Sequence, residues 1–290
     1  MLLLDKPSGI TSNAALQRVK RALQAERAGH TGTLDPLASG LLPIALGEAT
    51  KFAGEMLDAD KAYAAKVHLG VRTRTGDAEG EVLETREVHA TRVELETACV
   101  GFSGRISQIP PMYSALKRDG RALYEYARAG VEVERAPREV IIHRIAVLAF
   151  EVTFADLEID CSKGTYVRTL AEDIGAALGC GAHLAALRRT RVGALDLARA
   201  VALDALEAMA VEQRVAWVLP IERFLDHHAT IELDEGDVAR LRNGRAIEGM
   251  SGHGTVRIYS GGGDARFLGL GEIGSDQVLR PLRLIRTDRP

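Results

Sequence analysis

The sequence predicts a mixed α/β (α+β) protein of two domains, and three observations carry that expectation. A chain of 290 residues exceeds the usual size of one domain. Strand-like stretches at 61–70, 140–154 and 157–162 are interspersed with stretches of helical period at 11–23, 91–102 and 166–178. From residue 228 onward the chain breaks into short β-like runs separated by turn residues. The expected division is therefore 1–226 and 228–290, with a segment of different character, 105–144, inserted in the first part.

Taken in order, residues 2–5 form a short strand that leads into the turn Lys6-Pro7-Ser8-Gly9. Thr11, Ser12 or Asn13 can cap the next helix, where Leu16, Val19 and Leu23 recur at helical spacing while Arg18, Lys20 and Arg21 fall elsewhere. In 61–70, Tyr63, Ala65, Val67 and Leu69 lie on one side and Lys66 and His68 on the other. A loop of mixed charge, 72–80, follows, then a helix at 91–102 burying Leu95, Ala98, Cys99 and Phe102. The inserted segment carries Pro110-Pro111, a short helix at 121–130, and Tyr113, Tyr124 and Tyr126 among Lys117, Arg118, Arg121 and Arg128. Aromatics interleaved with basic residues offer stacking surfaces and phosphate contacts together.

After two strands, a helix presents Val167, Leu170, Ala171, Ile174 and Leu178 and stops at Gly179 and Gly181. Arg168 lies in its first turn, the wrong end for the helix dipole, so it has a specific partner or is simply exposed. Residues 201–225 read as helical, closed by Trp217 and Pro220. The last part reads as strand 229–233, a helical piece ending at Asn243-Gly244, strands 255–259 and 267–273 around a turn at Gly261-Gly262-Gly263, and a basic tail.

An apolar fraction of 46% with 27% charged residues belongs to an ordinary soluble globular protein. The N-terminus has no basic leader and only a three-residue apolar run, so no membrane association and a cytoplasmic location are expected. Cys99, Cys161 and Cys180 are far apart and no Cys/His pair has zinc-site spacing, so they read as buried thiols and no metal is expected. A net charge of −3 argues against nonspecific nucleic-acid binding. The basic residues nevertheless cluster, at Arg18, Lys20, Arg21 and Arg27, at Lys117, Arg118 and Arg121, at Arg188, Arg189 and Arg191, and at Arg280, Arg283, Arg286 and Arg289, which suggests local positive faces.

The stretch Gly29-His30-Thr31-Gly32-Thr33-Leu34-Asp35-Pro36-Leu37-Ala38-Ser39-Gly40 organises the rest. Three glycines let a large partner approach the backbone, and Pro36 pushes Asp35 toward an extended conformation that fixes the direction of its carboxylate. An Asp-Pro turn would account for part of this, but the loop is longer and richer in glycine than a turn requires.

The pattern Gly29-x-x-Gly32-Thr33-Leu34-Asp35-Pro36-x-Ala38-x-Gly40, ending in Leu42-Pro43-Ile44, resembles the active-site loop of the TruB-type pseudouridine synthases, which act on the T loop of tRNA. Lys6-Pro7-x-Gly9-x-Thr11-Ser12 and Gly179-Cys180-Gly181-Ala182-His183-Leu184-x-x-Leu187-Arg188-Arg189 resemble the same family, so the likeness spans nearly the whole chain. It implies a largely antiparallel central sheet flanked by helices, the insertion as an RNA-clamping thumb, and a C-terminal PUA-like β-barrel. It implies isomerisation of uridine-55 in the T arm of tRNA, by base flipping, glycosidic cleavage and reattachment through C5, by a monomer with no cofactor.

The resemblance makes Asp35 the catalytic carboxylate and Arg168 the cation that aims it and keeps it ionised. On its own residues Tyr63 is a core aromatic at a strand end. The resemblance places it on the flipped uracil, with its hydroxyl able to remove the C5 proton. By the same likeness His30 fills the vacated place in the RNA stack and Leu187 walls the pocket. Lys6, Tyr166, Lys117 and Arg121 complete the expected RNA or substrate contacts. Two other functions stand beside this one: a non-catalytic tRNA-binding and folding factor, and a glycoside or nucleoside hydrolase. The hydrolase would want a second acid, and no paired carboxylate is expected near Asp35. Guide-RNA-dependent relatives share the loop, but the thumb favours the stand-alone bacterial type.

Overall fold

The computed structural model describes residues 1–262 and 265–286. The apolar run at its start is continuous because both faces of that part of the sheet are covered. Leu2 and Leu4 turn with Leu42 and Ile44 into a core shared with the helices Ser12–Ala22, Arg92–Gly101, Val167–Ala177 and Leu203–Ala208. Met1, Leu3, Leu41 and Ala45 face the other way, against Ala49, Met56, Val192 and Phe224. Farther along the sheet only one face is covered. There Ala155, Leu157, Ile159 and Cys161 point inward, while Asp156, Glu158 and Asp160 point outward to pair with Lys66, Arg144 and Arg191.

These strands build one ten-stranded sheet. Its main path runs Val201–Ala202, Leu2–Lys6, Ser39–Leu46, Ala182–Val192, Lys61–Leu69, Phe154–Cys161, Arg138–Glu151 and Gly104–Gln108. Ala28–His30 and Leu195–Asp196 pair off this path. Seven of its nine pairings are antiparallel. One of the two parallel pairings joins Ser39–Leu46 to Ala182–Val192, where Gly40 stands opposite Arg189. The two halves of the sheet meet there, and the Gly29–Gly40 loop rises from that seam.

Three expectations change. Residues 105–108 belong to the edge strand of the sheet and 138–144 to the strand beside it, in register from Arg138 opposite Gln108 to Ile142 opposite Gly104, so the inserted segment is 109–137. The buried Val140 and Ile142 extend the sheet's own alternation into what composition alone grouped with the insertion. The stretch 201–225 is not one helix but a two-residue strand, the helices Leu203–Ala208 and Val211–Val215, and a turn of 3-10 helix at Ile221–Phe224. Met209 and Ala210 are extended between them, a break that helical spacing of apolar residues does not reveal. Two basic clusters are also less open than their composition suggests. Arg18 bridges Asp204 and Glu207 while Arg21 and Arg27 stay exposed, and Arg188 pairs with Asp5, Arg191 with Asp160, and Arg189 is buried.

The C-terminal part has its own core, Leu233, Leu241, Ile247, Val256, Ile258, Leu268, Ile273 and Leu279. Its strands Ala229–Leu233, Gly254–Ser260, Phe267–Ile273 and Leu279–Leu284 pair in that order, the first pair parallel and the others antiparallel. The expected basic tail is the last of these strands, with Arg280 and Arg283; Arg289 and Gly263 lie outside the described residues. Phe52 and Leu225 meet Phe267 and Leu270 between the two parts, and Lys51 Nζ donates to the Leu284 carbonyl at 2.8 Å. Among the described residues no helix is long and apolar enough to cross a membrane.

Candidate active site

Asp35 is held by its neighbours on either side. Ser12 Oγ accepts from the Leu34 amide at 2.8 Å and lies 2.9 Å from the Leu34 carbonyl, while the Pro36 carbonyl accepts from the Gly9 amide at 2.8 Å. Thr31, fully buried, bonds through its amide to the Pro43 carbonyl at 3.0 Å. The helix cap at Thr11–Ser12 and the Pro7–Gly9 turn therefore fix the loop, and the chain that precedes the loop acts as its cradle.

Arg168 reaches the site from the start of the Val167–Ala177 helix, whose first backbone groups are held by the buried Gln108. The Gln108 side-chain carbonyl accepts from the Tyr166 amide at 3.1 Å and its amide nitrogen donates to the Tyr166 carbonyl at 3.3 Å. The guanidinium lies against four groups. Its Nη2 stands 2.9 Å from Asp35 Oδ2 and donates to the Tyr113 carbonyl at 2.6 Å, while Nη1 donates to the Thr75 carbonyl at 2.9 Å and lies 3.5 Å from Asp77 Oδ2. The arginine at the wrong end of its helix thus has a specific partner, one of the two alternatives the sequence left open.

Asp77 is the residue that sequence reasoning missed. It is 3% exposed; its carboxylate accepts from the Thr75 hydroxyl and the Glu79 amide, and Thr73 Oγ1 donates to its backbone carbonyl. The expectation that no second carboxylate stands near Asp35 fails here, because the 72–80 loop folds back against the Ala182–Val192 strand and brings Asp77 to the same guanidinium. Threonines at 73 and 75 just ahead of the Gly76-Asp77 pair were the available signal, since short hydroxyl side chains commonly tie up such a turn.

The Asp35 side chain keeps 42% of its surface open, yet the recess around it is deep enough that desolvation dominates its electrostatics. Burial pushes its pKa above the ordinary carboxylate range, Arg168 pulls it back, Asp77 raises it and Lys6 lowers it. Tyr63 is 9% exposed, and burial raises its phenol pKa against the pull of Arg189. Tyr63 and Tyr166 both lie close enough to feel the charge of Asp35. His30, half-buried, has an Nδ1 with no hydrogen-bond partner, and its pKa is lowered by burial and then by Arg189. Leu187 is half-buried opposite Ala65, two residues from Arg189.

Lys6 is a correction. It is fully buried, with Nζ donating to the Pro7 and Ile10 carbonyls at 2.9 and 2.6 Å, so it has no surface to offer RNA and braces the cradle instead. Burial lowers its pKa to about 8. Lys117 and Arg121 are exposed on a small hairpin whose Asp119-Gly120 turn has φ of 53° and 78°. Arg121 stacks 4.8 Å from the Tyr126 ring and Arg128 5.3 Å from the Tyr124 ring. Cys99, Cys161 and Cys180 are buried free thiols. Among the described residues Glu55, His227 and His228 bring ligand atoms within 4.8 Å of one another, at the junction with the C-terminal part.

Three family models match in sequence order: "TruB family pseudouridylate synthase (N terminal domain)" over residues 20–167, "tRNA pseudouridylate synthase B C-terminal domain" over 168–226, and "Pseudouridine synthase II TruB, C-terminal" over 229–285. The chain is 54% identical over 288 residues to tRNA pseudouridine synthase B of Aromatoleum aromaticum, covering 99% of this chain and 92% of the relative. It is 54% identical over 288 residues to the protein of the same name in Azoarcus, covering 99% and 95%. The solved archaeal box H/ACA sRNP Nop10-Cbf5 complex contains a chain 25% identical, with TM-score 0.73, covering 99% of this chain and 86% of that one. Matched along almost its whole length, with Asp35 inside the first matched segment and Arg168 opening the second, the chain belongs to the TruB family of pseudouridine synthases.

Proposed function

We propose that this chain is an isomerase that converts the T-loop uridine of tRNA, uridine-55, to pseudouridine, with Asp35 as the carboxylate that engages the flipped nucleoside. The observation that carries the proposal is the pairing of Asp35 with Arg168 at the open end of a loop pinned on both sides. A carboxylate aimed outward, kept ionised by one guanidinium, is what cleavage at an anomeric carbon needs. Its relatives named tRNA pseudouridine synthase B support tRNA as substrate.

The base must leave the folded RNA at a cost of a few kcal/mol. In this proposal Tyr63 and Leu187 receive the uracil, Tyr166 lines the recess, and the neutral ring of His30 takes the vacated place in the stack. A neutral imidazole is cheaper to slide between bases than a charged one, and the lowered pKa of His30 favours that form. The 109–137 segment, with Lys117 and Arg121 on its hairpin, acts as the thumb on the T arm, and the C-terminal part acts as a PUA-like RNA-binding domain. Because Tyr113 at the base of the insertion accepts from Arg168, thumb position and carboxylate alignment are linked.

A hydrolase now has a second acid to invoke, but Asp77 is buried and held by Arg168, Thr75 and the Glu79 amide. An unmodified tRNA transcript incubated with the protein and mapped base by base separates the readings. Pseudouridine at position 55, lost on Asp35→Asn, supports isomerisation; released uracil would indicate hydrolysis; binding without chemistry in both proteins would indicate a folding factor.

A further inference from the structure

Arg189 is a cation in an unusual position. It is 1% exposed, on the central Ala182–Val192 strand, directly opposite Tyr63 on one neighbouring strand and opposite Gly40 on the other. Its Nε donates to the Leu41 carbonyl at 2.7 Å and its Nη2 to the Gly32 carbonyl at 3.1 Å. Among the described residues no carboxylate pairs with it, while Arg188 and Arg191 on the same strand each have one. A buried guanidinium without a counterion is expensive. The acidic hydroxyl that its strand register sets beside it is that of Tyr63.

We propose that Arg189 is a positioning residue whose charge is balanced during the reaction by Tyr63, and that the Arg189–Tyr63 pair makes the phenol a proton shuttle for the C5 step. This rests on the function proposed above. Once C5 has joined C1′, the base carries both a hydrogen and the ribose at C5 and a double bond between C6 and N1. The C5–H bond breaks, its electron pair restores the C5–C6 double bond, and Tyr63 Oη takes that proton. The phenol's own proton goes to N1, directly or through a water, so Tyr63 ends as it began. During the transfer the oxygen gains phenolate character, and the guanidinium stabilises it in a water-poor site.

The resting electrostatics agree. Burial keeps Tyr63 a neutral phenol, while Arg189 lowers the cost of its ionisation and Cys161 and Asp35 raise it. The other cations and titratable groups that feel Arg189 are Lys6, Lys61 and His30. The same geometry accounts for one glycine. A Cβ on Gly40 would meet the Arg189 carbonyl oxygen, whereas one on Gly32 would make only an ordinary contact of 3.5 Å with Arg189 Nη1. The loop that bears Asp35 and the strand that bears Arg189 therefore lock together.

The test compares full-length wild type, Arg189→Gln and Arg189→Lys on two tRNA transcripts, one with uridine and one with 5-fluorouridine, whose C5 has no proton to lose. Single-turnover rates and tRNA binding are measured for each, with the pH dependence of the uridine reaction. The expected result is that Arg189→Gln slows pseudouridine formation at least about thirty-fold and develops a primary isotope effect with C5-deuterated uridine. It should consume the 5-fluorouridine transcript within about three-fold of wild type, bind tRNA unchanged, and recover part of the lost rate at higher pH. Arg189→Lys, which keeps the charge, should restore part of the rate. Equal slowing on both transcripts, or no isotope effect, would overturn the proposal and leave Arg189 a purely structural residue. A wild-type protein that makes no pseudouridine would remove the function reading and this inference together.

Discussion

Arg168 and Asp35 face each other at 2.9 Å although they stand 133 positions apart in the chain, and the same guanidinium extends its other arm to Asp77 at 3.5 Å. One side chain therefore aligns the outward carboxylate and neutralises the buried one. Truncating one partner of a buried pair costs about 3–5 kcal/mol, and the open side of Asp35 argues for the lower end. Arg168→Ala is expected to lower kcat by roughly 100-fold, since about 1.4 kcal/mol is tenfold in rate. Arg168→Lys, with a single nitrogen where a planar fork is needed, should recover only part of this. Single-turnover pseudouridine formation measures both, and activity within a few-fold of wild type in Arg168→Ala would remove the pair from the mechanism.

The pH dependence follows from the carboxylate's surroundings. Asp35 must be ionised to engage the nucleoside, and burial raises its pKa above the ordinary value of ~3.9. Activity should accordingly fall on the acid side at a pH above the ordinary aspartate range. Arg168 and Lys6 pull that pKa down. In Arg168→Lys or Arg168→Ala the acid limb of kcat/KM should therefore stay or move to higher pH, never to lower. A limb moving down on loss of the guanidinium would mean that another group titrates.

Lys6 separates bracing from RNA contact. Replacing it with methionine removes a donor shared by two carbonyls, at a cost of about 2 kcal/mol or more in stability. Its folded pKa of about 8 lies below the ordinary 10.5, so between these values the unfolded chain holds a proton that the folded chain lacks. The contribution of this group to stability thus rises as pH increases through that window, and the rise should be missing in Lys6→Met. Thermal unfolding at pH 7.5 to 10 measures it. tRNA affinity of the folded variant and its salt dependence should be unchanged; a shallower salt slope would return Lys6 to the RNA surface.

The inserted hairpin makes the opposite prediction. Lys117 and Arg121 are exposed, and if they meet phosphates each substitution by alanine should weaken tRNA binding and reduce the slope of log K against log salt by about 1. Stability should change little, although Arg121→Ala also removes the pairing with Glu125 and the stacking on Tyr126. Binding measured across a salt series decides it, and an unchanged slope in both variants would detach the hairpin from the RNA.

Much of this was legible in the residues. Strands with one covered face announced themselves by alternation, as in Lys61–Leu69 and Phe154–Cys161, and the helices that carry Leu16 and Leu170 did so by their period. The loop around Asp35 stood out because glycines and a proline must be spelled in sequence. What alternation could not show was partnership across distance. Arg189 reads as one more member of a basic cluster until the strand register sets it opposite Tyr63, and Asp77 reads as loop charge until its loop folds back on Leu184. Lys6 looked like a surface cation because burial of a lysine depends on two carbonyls that only the fold supplies.

Gly40 and Gly9 allow the locked seam to be tested without touching a charged group. Both have positive φ, 98° and 83°, so alanine at either costs about 1–2 kcal/mol of backbone strain. A Cβ at Gly9 meets nothing within 4 Å, whereas at Gly40 it would meet backbone atoms of Arg189, with the nitrogen at 2.8 Å and the carbonyl carbon at 3.0 Å. Backbone in the centre of a sheet cannot give way cheaply, so Gly40→Ala should lose about 3 kcal/mol or more and Gly9→Ala only the strain. Because the displaced strand also carries Arg189 and Leu187, Gly40→Ala should lose turnover beyond what its unfolded fraction explains. Urea unfolding alongside activity per folded molecule measures both quantities. Equal stability losses at the two glycines would mean that the close approach of loop and strand is not a constraint the protein feels.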